Sequence, residues 1–122
     1  MRDHSLYLKD IFHAIESIEA FTAGINYDAF VADDKTLSAV IRKLEIIGEA
    51  VKQLPEEFLL LHPDIQWKRI AGMRDKLIHF YFGVDPHLVW QTIQKRLPEL
   101  KVAVVAGLQA QEQSYTNPAL NN

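Results

Sequence analysis

The segment from Trp67 to Phe82, WKRIAGMRDKLIHFYF, gathers Lys68, Arg69, Arg74, Lys76 and His79 in a chain whose formal net charge is -3. Two of these side chains suit chemistry in particular. An imidazole, with an unperturbed pKa of roughly 6.5, can both remove and deliver a proton near neutral pH, which is the role open to His79. The guanidinium of Arg74 is a permanent, forked cation matched to phosphate oxygens and able to stabilise negative charge as it develops. A helix turns about 100° per residue, so Asp75 and His79, four apart, share a face, where the carboxylate can orient or charge the imidazole. Arg74 and Tyr81 share a different face. Arg74 and His79 are separated by about 140° around the axis, so one straight helix does not bring both onto one phosphate. Either they flank a cleft from its two sides, or a second copy of the chain completes the site.

Each of these residues also has a plainer reading. A histidine near a helix C-terminus commonly meets the dipole and the last carbonyls. Arg74 beside Asp75 can be only a solvated pair, contributing less than about 1 kcal/mol. Lys68, Arg69 and Lys76 form a basic set that suits RNA contact, but such a set is more often a solvated face. Trp67, Tyr81 and Trp90 read first as core or interface aromatics.

The rest of the chain bounds what this segment can belong to. The 122 residues allow one domain, and 48% hydrophobic with 24% charged residues is an ordinary globular composition. Disorder, collagen and coiled-coil rods are excluded. Cysteine is absent, which removes disulfides, thiolate nucleophiles and Cys-based zinc sites. There is no glycine-rich phosphate loop and no HExxH spacing, so no cofactor or metal is expected. The start, Met1 to Leu6, has no apolar segment after its charges, and the longest apolar stretch, Val102 to Leu108, is too short to span a bilayer. A cytoplasmic protein is the expectation. The net negative charge argues against a general nucleic-acid coat, though not against a small basic patch over one phosphate.

The elements that must position the segment are helical throughout. Leu8, Ile11, Ile15, Ile18 and Phe21 define a first amphipathic helix, with Gly24 as its C-terminal cap. Tyr27 to Asp34 reads as a connector, its closing aspartates placed for the start of a second helix. That helix carries Leu37, Val40, Ile41, Leu44, Ile47, Val51 and Leu54 and stops at Pro55. Gly48 in its middle costs up to ~1 kcal/mol against Ala, which implies close approach of another backbone from a neighbouring helix or a second protomer. Phe58 to Leu61 is a short apolar turn. A third helix spans about Ile65 to Tyr81, with Gly83 beyond it. Asp85-Pro86 starts a fourth, which Pro98 should kink or split. The expected architecture is an all-α, antiparallel four-to-five-helix bundle over residues 1–108, followed by a polar, flexible tail over 109–122.

Arg74-Asp75-x3-His79-x-Tyr81 resembles the Arg-x4-His-x-Tyr motif of the HepT-like toxins, members of the HEPN superfamily of helical ribonucleases. The likeness extends to Leu44-Glu-Ile-Ile-Gly-Glu-Ala50, to Trp67-Lys-Arg-Ile-Ala-Gly-Met-Arg74, and to Gly83-Val-Asp85 with Val89-Trp90 and Leu97-Pro98, covering about residues 5 to 105. It implies a HEPN-like homodimer with the motifs lining a shared cleft. It also implies a metal-independent endoribonuclease, the toxin of a type VII-like toxin–antitoxin system. The implied partner is an MntA-like nucleotidyltransferase antitoxin that attaches AMP to Tyr81, with higher assembly of the two left open.

Under that resemblance Arg74 and His79 are the catalytic residues, with Asp75 supporting His79 as the carboxylate of a catalytic triad does. Lys68, Arg69 and Lys76 are candidate RNA contacts. The alternative is a non-catalytic helical dimer that binds and regulates the nucleotidyltransferase. A third reading is a structural helical protein whose basic helix is only a solvated face.

Overall fold

A computed structural model describes residues 3–79 and 84–116, with side chains described for all of these except 78, 79 and 114–116. Helix α1, His4–Thr22, begins at Asp3, whose carboxylate accepts the Ser5 N–H at 3.0 Å. Its stripe of Leu8, Ile11, Ile15 and Ile18 is fully buried, whereas Phe21, at the end of the same stripe, is exposed. Gly24 follows the helix with φ +74°, the left-handed conformation that turns the chain away and that glycine adopts without strain.

The stretch expected to be a connector contains a helix, α2, Tyr27–Ala32, capped by Asn26. Six residues are too few to display a 3.6-residue period, and the helix is held by a single anchor. Phe30 is fully buried, its ring 5.0 Å from that of Trp90. Asp33 then caps α3, Asp34–Lys52, its carboxylate accepting both the backbone N–H and the hydroxyl of Thr36. The short apolar turn is likewise a helix, α4, Glu56–Leu60, tied down by buried Phe58.

Helix α5, Trp67–His79, carries the basic segment. Trp67 is a core aromatic at its start, its indole N–H shared between the carbonyls of Leu59 and His62. Residues 80–83 lie outside the described residues, so the expected end of this helix near Tyr81 and Gly83 does too. The chain resumes with Asp85 capping α6, Pro86–Gln91, and Pro86 at the first helical position, as the sequence signature requires.

From Pro86 to Thr116 the chain forms one rod of α6, a π turn over Thr92–Arg96, and α7, Leu97–Thr116. The π turn sits immediately before Pro98, where a kink or split is expected. Proline has no N–H for the helical ladder and crowds the carbonyl four residues back. Here the ladder widens, and the Leu97 N–H reaches the Thr92 carbonyl five residues back. The rod also continues past Leu108, helical where polarity suggests a tail. Gln111 contacts His4 of α1 at 3.2 Å, and residues 117–122 lie outside the described residues.

The long elements form an all-α bundle of the expected kind, with no strand among the described residues. Helix α3 packs between α1 and α5, and α7 lies against α1. The core runs through Leu8, Ile15, Leu44, Ile47, Leu100 and Val104. Against that core α5 presents Ile70 and Leu77, so the motif helix is anchored by its apolar edge.

Candidate functional site at the crossing of α3 and α5

Gly48 decides how α5 sits. A Cβ at this position would meet Arg74 Cβ at 2.7 Å and the Arg74 backbone N at 3.1 Å, so α5 rests directly on the α3 backbone. Of the two partners the sequence leaves open for Gly48, the structure supplies the neighbouring helix.

Around this crossing four charged side chains interlock. Arg74 Nε lies 3.2 Å from a Glu49 carboxylate oxygen, and its Nη1 donates to Asp75 Oδ1 at 3.1 Å. Lys52 Nζ donates to both Asp75 oxygens, each at 3.1 Å. Glu49 and Lys52 come from the turn of α3 that begins at Gly48, so the same close approach that seats the helix delivers both partners. The Lys52 hydrogen bond first, and that of Arg74 second, hold the Asp75 carboxyl below the usual carboxylate range. Every member is partly solvent-exposed. Arg74 is 38% accessible, so its guanidinium is oriented by two carboxylates yet open to an incoming anion.

The sequence-predicted residues thus divide. Arg74 and Asp75 are brought together, although the carboxylate expected to orient His79 is occupied by Lys52 and Arg74. The His79 side chain and all of Tyr81 lie outside the described residues. Lys68, Arg69 and Lys76 are exposed. Arg69 and Lys76 share a different flank of α5, where they line a cavity of about 440 Å³ against α6 and the π turn; Lys68 does not line it. Glu49 and Lys52 were not read as site residues. Their signal was spacing: both follow the mid-helix glycine within one turn, opposite in charge to Arg74 and Asp75 respectively.

Among the described residues, no group of three or more His, Asp or Glu is placed to hold a metal ion, and no helix is long and apolar enough to cross a membrane. The family described as Ribonuclease HepT-like matches residues 11–106. The chain belongs to the HepT-like ribonuclease family. The matched region spans α3 and α5 whole, and therefore Gly48, Glu49, Lys52, Arg74, Asp75 and His79.

Among HepT-like relatives, a protein of Thermococcus cleftensis described as a probable ribonuclease HepT is 55% identical over 100 residues, covering 82% of this chain and 91% of that one. A candidate RNase of Caldanaerobacter subterraneus subsp. tengcongensis is 48% identical over 106 residues, covering 87% and 95% of the two chains. Another from Methanocaldococcus jannaschii is 44% identical over 97 residues, covering 80% of each. No solved structure gives a significant match.

Proposed function

We propose that the protein is a metal-independent endoribonuclease, the toxin of a type VII-like toxin–antitoxin system. It acts as a homodimer and is silenced when an MntA-like nucleotidyltransferase attaches AMP to Tyr81. Membership of the HepT-like family supports this reading. The observation that carries it is Arg74, oriented by Glu49 and Asp75, open to solvent, and on the helix that also bears His79.

In the proposed reaction the RNA's own 2′-hydroxyl is the nucleophile. His79 removes or delivers the proton in transit. The 2′-oxygen forms a bond to phosphorus as the bond to the 5′-oxygen breaks, leaving a 2′,3′-cyclic phosphate and a 5′-hydroxyl once that oxygen is protonated. Arg74 stabilises the charge that builds on the non-bridging oxygens. Glu49 and Asp75 act as positioning residues, because they limit the orientations the guanidinium can take. In the silencing reaction the Tyr81 phenol attacks the α-phosphorus of ATP and pyrophosphate leaves. The added nucleotide brings bulk and negative charge that repel RNA.

The test is RNA cleavage by protein expressed without the nucleotidyltransferase, in excess EDTA, beside His79→Ala, with intact mass read on the same samples. Cleavage that survives EDTA and disappears in the variant supports the proposal. Arg74 already carries two carboxylates, and this favours a second reading, a non-catalytic module that binds the nucleotidyltransferase. Tight complex formation, with no cleavage by unmodified dimeric protein, selects it.

A further inference from the structure

The cavity on the other flank of α5 is closed by two elements outside the basic segment, α6 and the π turn. Arg69 and Lys76 of α5 face Lys95 and Arg96 of the π turn across about 440 Å³, with Met73, Leu77 and Leu88 forming an apolar floor. Its size lies within the range of small-molecule sites, and so does its make-up, an apolar surface with a few polar groups. Four cations converge there in a chain of net charge -3. Asp85 is a carboxylate on the wall, and it already accepts the His87 N–H as the cap of α6. Lys76, Lys95 and Arg96 form no ion pair with any described residue.

Lys95 and Arg96 are the last two residues of the π turn that precedes Leu97 and Pro98. Along this rod Ile93, Leu97, Leu100 and Val104 are buried in the core, while Leu88, Thr92, Lys95 and Arg96 lie on the neighbouring face and line the groove.

We propose that this groove seats one nucleotide of a single-stranded RNA, the phosphate among Lys76, Lys95 and Arg96 and the base against Met73 and Leu88. This rests on the ribonuclease reading above and adds a binding subsite to it. Cations alone would suit any anion; the apolar floor beside them suits an anion that carries a flat apolar face, which is a nucleotide with its base unstacked. The described wall has no aromatic ring, so the base is held by shape and apolar contact, with little discrimination among bases. Lys76 stands three residues before His79 on α5, so a strand seated here runs toward the motif end of the helix.

The experiment measures binding of a short fluorescent single-stranded RNA to His79→Ala protein, with and without Lys95→Glu and Arg96→Glu together. AMP serves as the mononucleotide probe. RNA affinity should fall about tenfold or more and its salt dependence should become shallower. Lys95→Gln with Arg96→Gln should give a smaller loss in the same direction, and it serves if the charge reversal impairs folding. Lys9→Glu, on α1 and outside the groove, should leave binding unchanged. Unchanged affinity in the folded groove variants, an equal loss in Lys9→Glu, or a groove effect confined to AMP each overturns the proposal. Wild-type cleavage is assayed separately. A wild type that does not cleave RNA, while the groove variants still lose RNA binding, ends the nuclease reading and leaves the subsite standing.

Discussion

Gly48 and Arg74 are in direct backbone contact across the bundle, with no room between them for a methyl group: the missing Cβ would lie 2.7 Å from Arg74 Cβ. The residue with the strongest claim to phosphate chemistry is thus placed by the absence of a side chain on another helix.

Gly48→Ala should therefore destabilise the protein. Alanine gains up to ~1 kcal/mol of helix propensity, but the clash is with a Cβ and a backbone atom, which cannot swing aside, and overpacking of this kind costs about 1–3 kcal/mol. Gly72 is the control on α5, since a Cβ there meets nothing within 4 Å. Gly72→Ala should raise stability by up to ~1 kcal/mol. Urea denaturation of both variants checks the pair, and equal effects of one sign would mean that packing at Gly48 does not govern its stability.

Arg74→Lys should not be conservative. A lysine ammonium cannot reproduce the fork that meets Glu49 through Nε and Asp75 through Nη1. Loss of one charge-stabilising donor of this type costs about a hundredfold or more in kcat. Single-turnover cleavage, with circular dichroism to show that the helices persist, measures it; a drop of less than threefold or so would take Arg74 out of the reaction.

Glu49→Gln separates positioning from stability. The pair with Arg74 is half-exposed, so its loss should change folding by less than about 1 kcal/mol. A guanidinium released from that restraint should nevertheless lower kcat about tenfold, with KM little altered. If kcat is unchanged, Glu49 is only a surface partner.

Asp75 gives a pH prediction whose sign comes from its depressed pKa. A carboxyl held low in the folded state adds stability above the ordinary carboxylate range, and that stability is lost as pH falls through the folded value. Wild type should thus exceed Asp75→Asn in stability at pH 7, and the gap should close below about pH 4. Raising the salt at pH 7 should narrow it as well, because the pairs with Lys52 and Arg74 are exposed. A gap that is unchanged from pH 7 to pH 3 would mean that Asp75 acts through something other than its charge.

Much of this protein is legible along the chain because its signals are local. The stripes of α1 and α3, the Asp33 and Asp85 caps, the Pro86 start and the disturbance at Pro98 each depend on residues within one or two turns. Residues 27–32 and 56–60 escape such a reading, because five or six residues show no period and their helicity comes from burying Phe30 and Phe58 against distant rings. The polar stretch after Leu108 escapes it for a related reason: α7 propagates from a packed start, and His4 meets it across the bundle.

The motif residues and the kind of chemistry they suit were set by residue type and spacing, which any chain with this sequence carries before it folds. Which groups surround them was not. Glu49 and Lys52 reach Arg74 and Asp75 only because Gly48 lets two helices touch, and Lys95 and Arg96 join Arg69 and Lys76 only across the groove that the fold forms between α5 and the last helical rod. Those partners are far apart in sequence, and a contact between distant residues depends on helix crossing and register, which the packing of the whole core decides.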